Sequence, residues 1–174
     1  MNETVNKSAS AAHTRRVAYA VVLVAIGVAL APYTSFPIGI AKINPTQHLI
    51  NVVGAVVLGP WWAVLVAMVI GIIRNALGVG TLLAFPGGMI GALLAGYMFG
   101  WRRKLGMAAA GEIAGTGLIA PVVSALWVAP VFMGKAIPYL ALVPSFMAST
   151  IAGAFLGILA LKLLQRADIV DTEG

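Results

Sequence analysis

The chain has 174 residues, 61% of them hydrophobic and 9% charged, with eleven Lys and Arg against five Asp and Glu and a formal net charge of +6. Soluble domains carry roughly 25% charged residues, so this composition excludes a water-soluble globule and points to an all-α, polytopic integral membrane protein. With no cysteine, disulfides, thiolate catalysis and cysteine metal sites are excluded, and basic residues gathered at helix ends read as membrane orientation and lipid contact, not nucleic-acid binding.

In chain order, residues 1–16 are polar and too short to fold alone, and they read as a cytoplasmic tail. Arg15 and Arg16 precede an apolar run over 17–31 in which Ala29-Leu30-Ala31 resembles a signal-peptidase site. Pro32 follows that site, so the run is read as a retained helix 1, over 17 to 31 or 32. A loop with Pro32, Pro37, Gly39 and Pro45 comes next. Pro and Gly set the remaining breaks: helix 2 over 46–58, a Gly59-Pro60 turn, helix 3 over 61–77, a Gly78-Val79-Gly80 turn, and helix 4 over 81–100. Helix 5 covers 105–128 with a kink expected at Pro121. A loop over 130–138 leads to helix 6 over 139–164, and residues 167–174 form a second cytoplasmic tail. The whole is one six-helix transmembrane domain over 17–166.

The basic clusters fix the expected orientation. If Lys7, Arg15 and Arg16, then Arg102, Arg103 and Lys104, then Lys162 and Arg166 all lie inside, each intervening segment crosses an even number of times. Only Lys42, Arg74 and Lys135 of the eleven basic residues then lie outside. Both termini are expected in the cytoplasm and the chain in the plasma membrane. Helix 2 is the misfit, because residues 46–58 rise only ~20 Å against a ~30 Å hydrocarbon core. It either begins near Ile40 or enters a local cavity.

Small residues four apart recur at Ala25/Ala29, Ala55/Gly59, Gly87/Gly91, Gly96/Gly100, Gly111/Gly115 and Gly153/Gly157. Such pairs let helices approach closely, and most are expected to pack the bundle internally, with one or two left to dock another membrane subunit.

Polar groups inside a membrane are costly and are functional candidates by default. Asn44, Gln47, His48 and Asn51 open helix 2, with Gln47 and Asn51 on one face. Arg74 and Asn75 end helix 3, Thr81 and Phe85 begin helix 4, Trp127 ends helix 5, and Tyr139 and Ser145 begin helix 6. All are expected at one outer mouth of the bundle, where rings supply stacking and amides supply directional hydrogen bonds to a small heteroaromatic ligand. Interfacial anchoring is the other reading of Trp127 and Tyr139, snorkelling to headgroups that of Arg74, and helix capping that of the Asn44–Asn51 group.

Glu112 is expected about a third of the way in from the cytoplasmic side, satisfied by neighbouring helices or protonated, in preference to an ion- or subunit-coupling role. That placement puts it at the opposite end from His48. No nucleophile–base pair and no cluster of metal ligands is visible, so no catalytic residue and no metal site is assigned; a small intramembrane enzyme using His48 is the alternative of a different class.

Phe36-Pro37-Ile38-Gly39, Asn44-Pro45-Thr46-Gln47-His48 with Asn51, Gly59-Pro60, Arg74-Asn75, Gly78 and the run Gly80 to Gly87 together resemble the ThiW-type substrate-binding S component of energy-coupling-factor (ECF) vitamin transporters. The resemblance is concentrated over residues 36–96. It implies a six-helix bundle that captures a thiamine precursor, the thiazole moiety hydroxyethylthiazole, with the pyrimidine precursor or thiamine, or a solitary facilitator, as alternatives. It further implies that this chain needs no cofactor and hydrolyses no ATP, docking instead on a membrane T component that carries two cytoplasmic ATPases. By the same resemblance, small residues on helix 1, here Ala25 and Ala29, face that partner.

Overall fold

Most of the breaks expected from Gly and Pro are helix boundaries in the computed structural model, which describes residues 2–38 and 41–170, with side chains from residue 10. Gly39, the alternative helix start at Ile40, and residues 171–174 of the C-terminal tail lie outside the described residues. The elements are α1 (Asn2–Thr34), β1 (Phe36–Ile38), β2 (Ala41–Ile43), α2 (Pro45–Leu58), α3 (Pro60–Ala76), α4 (Ala84–Arg102), α5 (Leu105–Met133) and α6 (Tyr139–Arg166). Ser10–Thr34 of α1, α5 and α6 are long and apolar enough to cross a membrane, while α2 and α3 are apolar but shorter.

Two expectations for the first third of the chain need correction. Helix 1 does not begin at Val17 but continues upstream to Asn2, through a stretch with no Gly or Pro to stop it. It also runs past Pro32, which falls in the last turn, so the one hydrogen bond its missing amide removes lies near the helix end. The following segment is more than a loop: β1 and β2 pair antiparallel, with Phe36 opposite Ile43 and Pro37 opposite Lys42. A two-stranded sheet is all edge, so Pro37 is tolerated there.

The short α2 is the centre of the bundle, and it packs against each of the other five helices. Its hydrophobicity is therefore spent inward, and Ile50, Val52 and Ala55 are among its fully buried residues. The helix does not start early; it starts deep. Gly153 of α6 lies against the Pro45 carbonyl and the His48 Cβ, and Gly153 is about 21 Å along α6 from Tyr139 at 1.5 Å per residue. The first turn of α2 is thus level with the middle of α6, a whole half-bundle below the end where α6 begins. At its other end Gly59, at φ +91°, turns the chain without a Cβ penalty into Pro60, a suitable first residue for α3.

α5 is continuous through both Pro121 and Pro130 and runs on to Met133 instead of ending at Val128. It widens to π-type turns over Ile113–Ile119 and Ser124–Val128, each segment running up to a proline. A proline removes one amide donor and crowds the preceding turn, and widening lets the helix continue past it. Gly134, at φ +60°, ends α5.

Five of the six small-residue pairs place at least one member at an internal helix–helix contact. A Cβ on Gly111 would come within 2.5 Å of the Leu94 carbonyl oxygen, one on Gly115 within 2.8 Å of Gly91 Cα, one on Gly157 within 2.9 Å of Val52, and one on Gly96 within 2.5 Å of Pro60. The exception is Ala25/Ala29. Both residues are exposed and line an apolar groove of about 520 Å³ between α1 and α3.

Candidate functional site

The deep start of α2 creates a chemical problem that the sequence solves locally. A helix N-terminus in an apolar bundle has amides with no partner. Asn44 supplies one, its Oδ1 accepting from Gln47 N at 2.8 Å, while Pro45 removes another donor. The Asn44 amide itself donates to Ser149 Oγ of α6 at 2.9 Å, and Asn44 Nδ2 donates to Ser35 Oγ at 2.7 Å. The cap thereby ties α2 to α6 and to the end of α1.

One turn further on, three α2 side chains reach three different helices. Asn51, 1% exposed, accepts from Gln47 Nε2 at 3.1 Å and donates from Nδ2 to the Gly88 carbonyl at 3.0 Å and to Glu112 Oε1 at 3.1 Å. His48 Nδ1 lies 2.7 Å from the same Glu112 oxygen. Thr116 Oγ1 is 2.8 Å from both Glu112 Oε1 and the Gly87 carbonyl, and its one proton serves one of them at a time. Glu112 is fully buried. Its seat requires Gly91, since a Cβ there would collide with Thr116 Oγ1 and approach Glu112 Oε2 to 2.5 Å.

This pair overturns the expected separation of His48 and Glu112. The error lay in placing the start of helix 2 at the outer surface. Counted from the opposite end, His48 stands ten residues above Leu58 and Glu112 seven above Leu105, about 15 and 10 Å at 1.5 Å per residue. Side chains span the remainder.

Arg74, at the end of α3, is 4% exposed and points inward, which excludes snorkelling. Its Nη1 donates to Gln47 Oε1 at 3.3 Å and its Nη2 to Ser35 Oγ at 3.4 Å, while Nε has no partner. Lys42 of β2 donates to the Gly78 carbonyl at 3.2 Å, latching the hairpin onto the α3–α4 turn.

These groups surround a cavity of about 20 Å³ bounded by Lys42, Asn44, Gln47, His48, Arg74 and Thr116, with Ser145, Ser149, Phe146, Ala84 and Gly87 completing its wall. That volume holds about one water molecule. A second cavity of about 10 Å³ is lined by Asn75, Thr81 and Phe85, and it shares Gln47, Arg74 and Ala84 with the first. The Gln47–Arg74 hydrogen bond is therefore the partition between two halves of one polar space.

The sequence candidates divide accordingly. Asn44, Gln47, His48, Arg74 and Ser145 line the first cavity, while Thr81, Phe85 and Asn75 line the second, Asn75 also donating to the Gly71 carbonyl at 2.8 Å. Asn51 lines neither; it stands behind Gln47 and Glu112 and positions both. Trp127 and Tyr139 are 69% and 47% exposed and line neither cavity, because their rings face outward. Amphipathic rings on an outward face fit an interfacial role. Sequence reasoning missed Thr116, Ser149, Ser35 and Lys42 as cavity or network residues and misplaced Glu112. Thr116 lies four after Glu112 and Ser149 four after Ser145, so each shares a face with a residue already singled out; Ser35 carries no such signal.

The family model described as "Thiamine-precursor transporter protein (ThiW)" matches residues 17–167. Among curated proteins none matches the chain. A match over most of the chain, on an all-α membrane fold with a buried polar cavity, shows that the protein belongs to the ThiW family of thiamine-precursor transporters.

Proposed function

We propose that the chain is the substrate-binding S component of an ECF-type importer and captures the thiazole moiety of thiamine in the cavity at the start of α2. The observation that carries this reading is the buried set Asn44, Gln47, His48, Arg74 and Ser145, gathered from three helices around one space. A small heteroaromatic alcohol needs amide and imidazole partners for its ring nitrogen and hydroxyl and an apolar or aromatic wall for its ring; Phe146 and Phe85 provide the latter. The ligand exceeds the cavity as it stands, so binding opens the Gln47–Arg74 partition.

In this reading the chain sits in the plasma membrane with both termini in the cytoplasm, the hairpin end of the bundle faces outside, and transport energy comes from ATP hydrolysed on partner subunits. The T component docks on the exposed Ala25/Ala29 face of α1, whose groove is apolar and unpartnered within the chain. Calorimetric titration of the purified chain with hydroxyethylthiazole, the hydroxymethylpyrimidine precursor and thiamine tests the substrate. Selective thiazole binding without turnover supports capture. Tighter binding of the pyrimidine or of thiamine reassigns the substrate, and uptake by the chain expressed alone, without coupling proteins, replaces the S component with a solitary facilitator.

The His48–Glu112 contact at 2.7 Å is an observation in favour of an enzyme, since it orients an imidazole as acid–base pairs do. Against it, no hydroxyl among the described residues bonds to His48: Ser145 Oγ donates to the Leu142 carbonyl and Ser149 Oγ accepts from Asn44. Turnover of a thiazole substrate that disappears in His48→Ala would establish the enzyme reading.

A further inference from the structure

Arg74 is a buried cation whose partners do not match its charge. Its two hydrogen bonds, at 3.3 and 3.4 Å, go to a neutral amide and a neutral hydroxyl, and Nε makes none. Charge-assisted bonds to a carboxylate run at roughly 2.7–2.9 Å. Among the described residues the one acid inside the bundle is Glu112, and its bonded oxygen is taken by His48, Asn51 and Thr116. Asp168 lies beyond the end of α6. A guanidinium keeps its charge, and a buried charge without a counter-ion is strongly destabilising.

The surroundings add positive potential. Lys42 lines the same cavity with only a backbone carbonyl as partner. The first turns of α2 and α4, where Asn44 and Ala84 stand, also border it, and helix N-termini carry the positive ends of their dipoles. We propose that Arg74 receives an oxyanion of the substrate, so that the preferred ligand is an acidic thiazole, bearing a carboxylate or a phosphate ester, and not the neutral alcohol. The fork of Nε and Nη2 fits either group bidentately. A neutral hydroxyl satisfies a single donor and leaves the charge uncompensated. This inference rests on the thiazole reading above and sharpens it.

The test is titration of the purified full chain, and of Arg74→Gln and Arg74→Lys, with four ligands: hydroxyethylthiazole, its phosphate ester, the carboxylate formed by oxidising its side chain, and hydroxymethylpyrimidine phosphate. The wild type is expected to bind at least one acidic thiazole about tenfold or more tighter than the alcohol. Arg74→Gln should erase that preference, and Arg74→Lys should restore part of it. Phosphate against carboxylate then identifies which oxyanion the site takes. Alcohol affinity equal to or above both acidic forms in the wild type overturns the inference and leaves the thiazole reading standing, whether or not the variants fold. Binding of the pyrimidine phosphate alone removes the thiazole and keeps the oxyanion role of Arg74. No binding by any of the four overturns both.

Discussion

α1 and α2 are both apolar helices with small residues at regular spacing, and the bundle uses them in opposite ways. α1 packs against α2 and α3 and turns Val21, Val22, Ile26 and Leu30 outward. α2 touches every other helix and buries Asn44, Gln47, His48 and Asn51. The difference teaches where the cost of polarity is met. A polar side chain is affordable in an apolar bundle only if every neighbour offers a partner, and the central helix alone has neighbours on all sides. Buried polarity therefore collects on α2, and the apolar outer helix turns its side chains outward.

The largest effect that sharpens this contrast is expected at Glu112. Glu112→Leu removes the acceptor shared by His48, Asn51 and Thr116, and breaking a buried hydrogen-bonded pair typically costs about 3–5 kcal/mol. Unfolding by SDS titration in detergent micelles measures it; a loss below about 1 kcal/mol would mean that the carboxylate does not hold α2 in place. Next comes Gly91→Ala, which forces a methyl group into the seat of Glu112 and Thr116 and should destabilise by about 1–3 kcal/mol in the same assay. Wild-type stability in that variant would show that α4 and α5 are free to separate there.

A smaller effect is expected in binding. His48→Ala removes an imidazole from the cavity wall and should weaken ligand affinity at least tenfold, or about 1.4 kcal/mol, with the fold retained by circular dichroism. The smallest intrinsic effect belongs to α1. Ala25→Leu with Ala29→Leu changes an exposed face, so stability should stay within about 0.5 kcal/mol and ligand affinity should be unchanged. Copurification of the membrane and ATPase partners should be lost. Normal copurification would move the docking surface off α1.

Much of the helical layout was legible because Gly and Pro are local signals: Gly59-Pro60 and Pro138 each end or begin a helix where expected and α3 ends just before Gly78, although α4 begins at Ala84 and not at Thr81. Several residue types that line the cavities were legible too, since amides and Arg74 inside apolar runs stand out against their background. Depth was not. The sequence shows that helix 2 is too short, but not which end falls short, and that ambiguity sent Glu112 to the far side; the outward facing of Trp127 and Tyr139 was not legible either. The π-type turns of α5 were equally invisible. Proline announces that a helix must adjust, but not in which way.

The central claim is that the site lies at the deep start of α2 and not at the end of the bundle where α6 begins. It is tested most directly by titrating the tightest-binding thiazole into Gln47→Ala and His48→Ala on one side and Trp127→Ala and Tyr139→Ala on the other. The account predicts losses of about tenfold or more for the first pair and changes within about twofold for the second. The reverse pattern, with Trp127 and Tyr139 carrying the affinity, would place the ligand at the mouth of the bundle and contradict the account.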